Sequence, residues 1–337
     1  MPSLSAKGKR AWRTGAILAA LGACAVLLSI NTGTMRIPPL SVLRTLFGFG
    51  TPDESLVLFE YRLPRILVTA LAGIGLGLSG AILQGVSRNA LADPGILGLH
   101  AGAGFGLMVY ISFFTAMKGP AALLIPLFTF AGAVTAALLI VLLAHDRTRG
   151  LLPVRLILTG IAVAAGFGAL TLFLSLKLDE DTYAFASRWL AGSVWGRSPE
   201  HAAALLPWMA VIVPYALTRA RFLNAFSLGD EAAAGIGLPV RRQRILLLLT
   251  AVALSSASVA MAGGIGFIGL LAPHLARRLA GPQHQHLLPL AGLIGLVVLV
   301  TADTIGRSLF LPASIPAGVV VAAVGAPYFL YLLVRTK

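Results

Sequence analysis

Apolar runs of about twenty residues alternate with short polar joints along nearly the whole chain. Runs of that length suit helices that cross a bilayer. They predict ten spans, at about 14–32, 62–84, 98–116, 121–144, 154–176, 202–218, 244–262, 268–280, 288–308 and 316–334. Several are short or interrupted by glycine and proline, and 268–280 is expected to cross only part of the bilayer. Two connections exceed what a turn requires. The loop at about 177–201 carries Trp189, Trp195 and a small-residue turn at Gly192-Ser193, which predicts a short interfacial helix. The loop at about 219–243 holds a helix-forming piece, Leu228 to Gly237, bounded by glycines. The fold class is therefore all-α and polytopic, one transmembrane domain over 1–337.

Composition agrees with this reading. Hydrophobic residues make up 58% of the 337 and charged residues 11%, against roughly a quarter charged in soluble domains. The net charge of +14 sits in short clusters between apolar spans, the pattern of a membrane protein and not of a nucleic-acid binder. An even number of spans puts both termini on one side. If that side is cytoplasmic, seventeen of the 26 lysines and arginines are inner: Lys7, Lys9, Arg10, Arg13, Arg88, Arg147, Arg149, Arg155, Arg219, Arg221, Arg241, Arg242, Arg244, Arg277, Arg278, Arg335 and Lys337. The outer nine are Arg36, Arg44, Arg62, Arg65, Lys118, Lys177, Arg188, Arg197 and Arg307. Eight of the twelve acidic residues, among them Asp179, Glu180 and Asp181, also fall outside. Both asymmetries predict an inner N-terminus. The single cysteine, Cys24, excludes an internal disulfide. Its setting, Leu21-Gly22-Ala23-Cys24, looks like a lipoprotein cleavage box, but the apolar run continues to Ile30, as an ordinary first helix would.

Few residues carry chemistry. Arg62-Leu63-Pro64-Arg65 opens the second span, with both arginines on one side of a helix and Pro64 in its first turn. The arginines are either interfacial anchors or a cationic dock for an acidic partner. Gly73, Gly75, Gly77, Ser79 and Gly80 follow; they allow close helix packing, or leave room beside a solute path. Arg88 to Gly98 has the Asn, Asp, Pro and Gly of a tight inner turn. His274, after Pro273, reads as a packed, hydrogen-bonded residue, whereas His284 and His286 are expected in a solvated loop. Asp303 is expected to be capped or paired, with Arg307 one turn on as its partner. The six histidines show no metal-ligand spacing, so no metal is expected. No GxxxxGK[ST] loop, nucleophile–base set or zinc pattern occurs, so any ATP-driven motor must be another chain.

Several of these segments occur together and in a fixed order. They are Arg62-Leu-Pro-Arg65, Gly80-Ala-Ile-Leu-Gln84-Gly85, Arg88-Asn89 through Asp93-Pro94 to Gly98, Trp189-Leu-Ala-Gly192-Ser193, Leu228-Gly229 through Gly237, Gly266-Phe267-Ile268-Gly269 through Pro273-His274 and Arg277, and Gly325-Ala326-Pro327-Tyr328-Phe329. In this the chain resembles the FecCD-type permeases, the membrane subunits of type II ABC importers for iron-siderophore, haem and cobalamin. The segment Arg88–Gly98 with His100-Ala-Gly-Ala-Gly104 is most like the siderophore branch. Two places depart from the family pattern: Ser314-Ile315 stands before Pro316 where an acidic residue is frequent, and Gln283-His284-Gln285 stands where Asp-His-Arg is frequent.

The resemblance implies a ten-helix type II importer permease working by alternating access in the bacterial cell membrane, with both termini cytoplasmic. It implies a second permease subunit, identical or homologous, two ABC ATPase subunits that bind the ATP and Mg, and an extracytoplasmic substrate-binding protein. The chain itself would be no enzyme and would hold no cofactor. Arg62, Arg65 and Arg307 would meet acidic residues of the binding protein. Leu228, Gly229, Asp230, Glu231, Ala233, Gly235 and Gly237 would form the coupling segment seated in the ATPase. Gly80, Gln84, Asn89, Asp93, Pro94, Gly98, Gly266, Phe267, Gly269, Pro273, His274 and Arg277 would be structural or gating residues. Haem or cobalamin are the alternative cargoes. An ion-gradient transporter would need mid-membrane charges, which are nearly absent, and a membrane-embedded enzyme would need a polar catalytic set.

Overall fold

The computed structural model describes residues 6–33, 37–95, 98–115, 121–146, 150–151, 153–309 and 314–335. Arg36, Lys118, Arg147, Arg149 and Lys337, and residues 96–97 of the expected inner turn, lie outside them. Each of the ten expected spans coincides with a helix: α1 (Ala6–Asn31), α4 (Leu63–Ser87), α5 (Leu99–Phe113), α6 (Ala121–Ala144), α7 (Pro153–Ser175), α9 (Pro199–Thr218), α12 (Val240–Ala262), α13 (Ile268–Ala280), α14 (His284–Ser308) and α15 (Ala317–Arg335). Among the described residues, seven stretches are long and apolar enough to cross a membrane, and α5 and Ala317–Tyr331 of α15 are shorter apolar helices. At 13 residues, α13 reaches only about 20 Å, less than a bilayer's hydrocarbon core.

Among the described residues, five short helices fill the joints: α2 (Pro39–Leu46), α3 (Pro52–Ser55), α8 (Glu180–Leu190), α10 (Ala220–Phe226) and α11 (Asp230–Gly235). The expected helix of the 177–201 loop is α8, whose N-cap Asp179 accepts a bond from the Thr182 amide at 3.1 Å. Hydrogen bonds to the charged form, first from the Thr182 side chain and then from its amide, hold the Asp179 carboxyl below its ordinary value. A Thr51–Glu54 capping box starts α3, and a π-helical turn, Leu56–Arg62, joins it to α4. A two-residue antiparallel ladder, His145–Asp146 with Gly150–Leu151, joins α6 to α7.

The centre of the bundle is α4, buried along nearly its whole length. Its glycines explain how. A methyl group on Gly73 would overlap the Gly295 carbonyl of α14, and one on Gly77 would overlap that of Ala291. One on Gly75 would strike Ser258 of α12. Backbones meet where side chains are missing, and dispersion and close packing then hold the apolar helices together. These glycines are packing residues. By contrast α7 is mostly exposed, with Leu158, Ile161, Leu172 and Phe173 each more than half exposed.

Between α12 and α13 the chain leaves the helical path. Gly263 turns it at φ 79°, and Phe267 starts α13 from a left-handed φ of 66°. The Gly264 amide donates to the Trp189 carbonyl of α8 at 3.4 Å, and the Gly318 amide of α15 donates to the Gly192 carbonyl at 2.9 Å. Irregular backbone survives inside a membrane protein where protein covers it.

Candidate functional site

Three groups of residues stand out: an arginine cluster at the end expected to be outer, a junction of the sequence motifs, and a surface segment at the end expected to be inner.

At the outer end, α1, α4 and α14 are tied by guanidiniums. Arg62 donates to the Ile30 carbonyl. Arg65 grips Asp303 with two nitrogens, Nη2 to Oδ1 at 2.6 Å and Nε to Oδ2 at 3.0 Å. Arg307 donates to the Thr32 carbonyl at 2.6 Å and to Ser29 Oγ at 2.6 Å, and its Nε lies 3.7 Å from Asp303. Asp303 is thus paired, as expected, but its main partner is Arg65 of α4, with Arg307 second. Arg62, Arg65 and Arg307 do come together. They are drawn into the bundle: Asp303 is 2% exposed and the Arg65 side chain 18%.

A fourth arginine joins them. Arg197, just before α9, is buried, donates to the Ser193 carbonyl at 3.4 Å, and its Nε has no partner. Burial, and then the charge of Arg65, push it down to about 10. Sequence reading could count Arg197 among the outer cations but had no spacing signal to place it beside Arg65.

Toward the inner side the motifs converge. The Gln84 amide donates to the Gly269 carbonyl at 3.3 Å, and Arg277 donates to Gln84 Oε1 at 3.3 Å. A methyl on Gly80 would overlap the Gly269 backbone, and one on Gly269 would strike Asp93 and Pro94. Asp93 is buried, and its Oδ2 accepts from the Gly95 amide at 2.8 Å. Asn89 closes a similar turn on the Leu91 amide at 2.9 Å, and Gly98 starts α5. Segments nearly two hundred residues apart therefore share one contact point. Pro273 is buried within α13, and Gly266 sits in the turn before it. His274 packs edge-on against Tyr328 at 5.9 Å, but its Nε2 has no partner, so the expected hydrogen bond is absent at that atom.

The inner segment is α11 and its flanks. Gly229 and Gly237 take φ of 99° and 85°, conformations that cost other residues strain. Asp230 accepts from Arg244 Nη2 at 2.7 and 2.8 Å and lies 3.7 Å from Arg88. This clamp ties α11 both to α12 and to the 88–98 turn, and neither partner was legible in the sequence. Leu228 and Ile236 are 63% and 68% exposed, and Glu231, Ala232, Ala234 and Gly235 are exposed with them. Ala233 corrects an expectation. It is fully buried against the bundle, so it is not part of the face turned outward. In a one-turn helix three consecutive alanines cannot share one face. His284 is a second correction: it is buried, and its backbone N–H and Nδ1 meet Asn224 Oδ1 at 2.9 and 2.8 Å, fastening α10 to α14. The Asn224 amide also donates to Gln285 at 2.7 Å. His286 is half-buried within α14.

Relatives share this chain end to end. The Iron(3+)-hydroxamate import system permease protein FhuG of Bacillus subtilis (strain 168) is 45% identical over 314 residues, 92% of this chain and 93% of that protein. The Fe(3+)-citrate import system permease protein YfmE of the same organism is 43% identical over 333 residues, 99% and 98% of the two chains. Among solved structures, a metal-chelate type ABC transporter in an inward-facing conformation matches with a TM-score of 0.83 and 29% identity, over 96% of this chain and 99% of that one. Residues 19–335 match the FecCD transport family, and with relatives this similar over nearly its full length, the chain is a member of that family.

Proposed function

We propose that this chain is the membrane permease subunit of an ATP-binding cassette importer that carries an iron–siderophore chelate inward. The observation that carries the reading is the inner segment. It is a short helix held rigidly by Asp230, Arg244 and Arg88, with Leu228 and Ile236 turned out to solvent. Exposed apolar side chains on a braced helix suit a groove in another protein. That protein would be an ABC ATPase, which binds ATP and Mg and lends this chain its motor. The names of the relatives, hydroxamate and citrate import permeases, support an iron chelate as cargo.

In this reading all ten helices belong to the membrane domain, α13 reaching only part way, and both termini are cytoplasmic. A second permease, identical or homologous, covers exposed faces such as that of α7. The outer cluster sets Arg65 and Arg307 on one carboxylate, Asp303, with Arg62 close to Arg307 and Arg197 close to Arg65. Such an excess keeps the local potential positive even though the side chains are buried. It would steer an acidic binding protein toward this end, in a way that salt weakens. Arg62, Arg65 and Arg307 would then act in docking through their field as well as through contact.

The test is uptake of a labelled ferric hydroxamate into vesicles holding the assembled transporter. Uptake should require internal ATP and the binding protein, stop with vanadate, and survive an ionophore. Loss with ionophore alone would indicate an ion-gradient transporter. Uptake of haem or cobalamin in place of the ferric chelate would reassign the cargo.

A further inference from the structure

The first two turns of α12 carry a groove of about 520 Å³ that no motif discussed above uses. Its walls are Pro239, Val240, Arg241, Arg242, Ile245 and Leu246. Among the described residues, apolar side chains and two cations line it, and no carboxylate does. The helix divides its residues sharply here. Gln243 and Arg244 are buried, and Arg244 is held by Asp230. Arg241, Arg242 and Ile245 are exposed. Arg65, Arg88, Arg244 and Arg307 each lie against a carboxylate, and Arg219 covers the rings of Tyr215 and Phe222. Among the described residues, Arg241 and Arg242 have no such partner.

The apolar wall continues along the helix. Residues 242, 246, 249 and 253 follow one another at the three- and four-residue spacing of a single face. Leu249 on this face is exposed. The Ala253 carbonyl accepts from Trp208 Nε1 of α9 at 3.1 Å, and Trp208 is itself exposed. The axial rise from Arg242 to Ala253 is about 16 Å, close to one leaflet's share of the hydrocarbon core, about 15 Å. The whole strip lies within Val240–Ala262, a stretch long and apolar enough to cross a membrane. Two guanidiniums without carboxylates, above an exposed apolar strip one leaflet deep, match the charge and the length of an acidic lipid.

We propose that this face of α12 binds an anionic phospholipid, with its phosphate on Arg241 and Arg242 and one acyl chain laid along Ile245, Leu246 and Leu249 toward Trp208. Its place in the inner leaflet rests on cytoplasmic termini, as in the proposed function; the chemistry of the site rests on neither the cargo nor the motor. Charge separates this occupant from a zwitterionic lipid, which fits the apolar strip equally well. Depth separates it from a soluble ATPase, which reaches the exposed side of α11 but not Leu249 and Trp208 within the span. Two cations at the surface should favour an acidic over a zwitterionic lipid by roughly thirtyfold.

Trp208 reports on the strip. The full chain is reconstituted in phosphatidylcholine vesicles with increasing fractions of brominated phosphatidylglycerol or, separately, brominated phosphatidylcholine. A Trp208→Phe variant gives the signal of Trp12, Trp189 and Trp195 for subtraction. Quenching of Trp208 should saturate at a far lower fraction of the acidic lipid. Arg241→Gln with Arg242→Gln should remove that preference, and Arg241→Lys with Arg242→Lys should keep it. Lys9→Gln with Arg13→Gln, which takes two exposed cations from α1, should keep it as well. Equal quenching by the two lipids overturns the proposal. So does a preference that survives Arg241→Gln with Arg242→Gln, or one that the α1 changes abolish equally, which is attraction to overall charge. If neither lipid quenches Trp208, protein covers this face and the proposal fails. Failure of the importer reading would appear only in the uptake assay, so the two failures are separable.

Discussion

Replacing Asp303 with alanine should destabilise the permease far more than replacing Arg65 and Asp303 together. The pair is short and two-pronged, at 2.6 and 3.0 Å, and Asp303 is 2% exposed. Removing the carboxylate strands two guanidiniums, since Arg307 Nε also lies 3.7 Å from it. Breaking a buried pair on one side costs roughly 3–5 kcal/mol. The Arg65 side chain is 18% exposed and recovers some hydration, so the low end, about 3 kcal/mol, is expected. A double variant, Arg65→Met with Asp303→Leu, swaps charges for apolar bulk and should return to within about 1 kcal/mol of the parent. The assay is reversible denaturant unfolding of the purified permease in mixed micelles, run as a double-mutant cycle. If Asp303→Ala costs under 0.5 kcal/mol, by order of magnitude no more than a surface change, the pair is not a strut. If the double variant is as unstable as the single, the loss comes from shape and the electrostatic reasoning fails.

The corrected face of α11 gives a paired test. Ala233→Trp should disturb the segment itself and lower expression or thermal stability, because Ala233 is fully buried, whereas Ala232→Trp should leave the permease stable but block capture of its ATPase. Equal behaviour of the two in pull-down and thermal melting would refute the assigned face. Glycine contacts make a second pair. Gly80→Ala, whose methyl meets the Gly269 backbone, should cost about 2–3 kcal/mol or more, while Gly166→Ala meets nothing within 4 Å and should be neutral or stabilising by up to about 1 kcal/mol; unfolding in micelles measures both.

Much of this architecture is legible from hydropathy because each crossing helix must be apolar over a fixed length. The helix ends are less legible. α9, α12 and α14 begin at Pro199, Val240 and His284, three or four residues before the apolar runs that announce them. A helix continues into a polar flank wherever its backbone bonds persist, and hydropathy does not sense those bonds. The Thr51–Glu54 capping box was readable in principle, as a Thr-x-x-Glu spacing before an apolar run. The partners of charges were not. Arg65 and Asp303 are separated by 238 positions, so the nearer Arg307 was the natural guess from helix spacing. For α11, sequence could find a glycine-bounded helix but not which alanine faces the bundle, since six residues offer too short a period.

Position in the fold also gives the inner segment its mechanical meaning. Asp230 is the only acidic residue of α11 whose bonds, to Arg244 and Arg88, lead away from the segment among those the structure describes. Arg244 lies in the second turn of α12, and Arg88 closes α4 and begins the turn that carries Asp93 and Pro94. Those two residues press on Gly269 at the head of α13, where Gly80 and Gln84 of α4 also meet it. If the segment is the coupling element proposed above, a push on Leu228 or Ile236 would reach α12, α4 and α13 through charge pairs and backbone contacts, which yield less than flexible side chains do. A floppy loop at the same place would absorb the push. The strained start of α13 at Phe267, together with its short length, makes it the element of this path most able to shift as a unit. Phe267 in turn packs against Gly325 of α15. On that proposal, movement at the coupling segment would be conveyed to helices on both sides of the bundle without any charge having to cross its apolar centre.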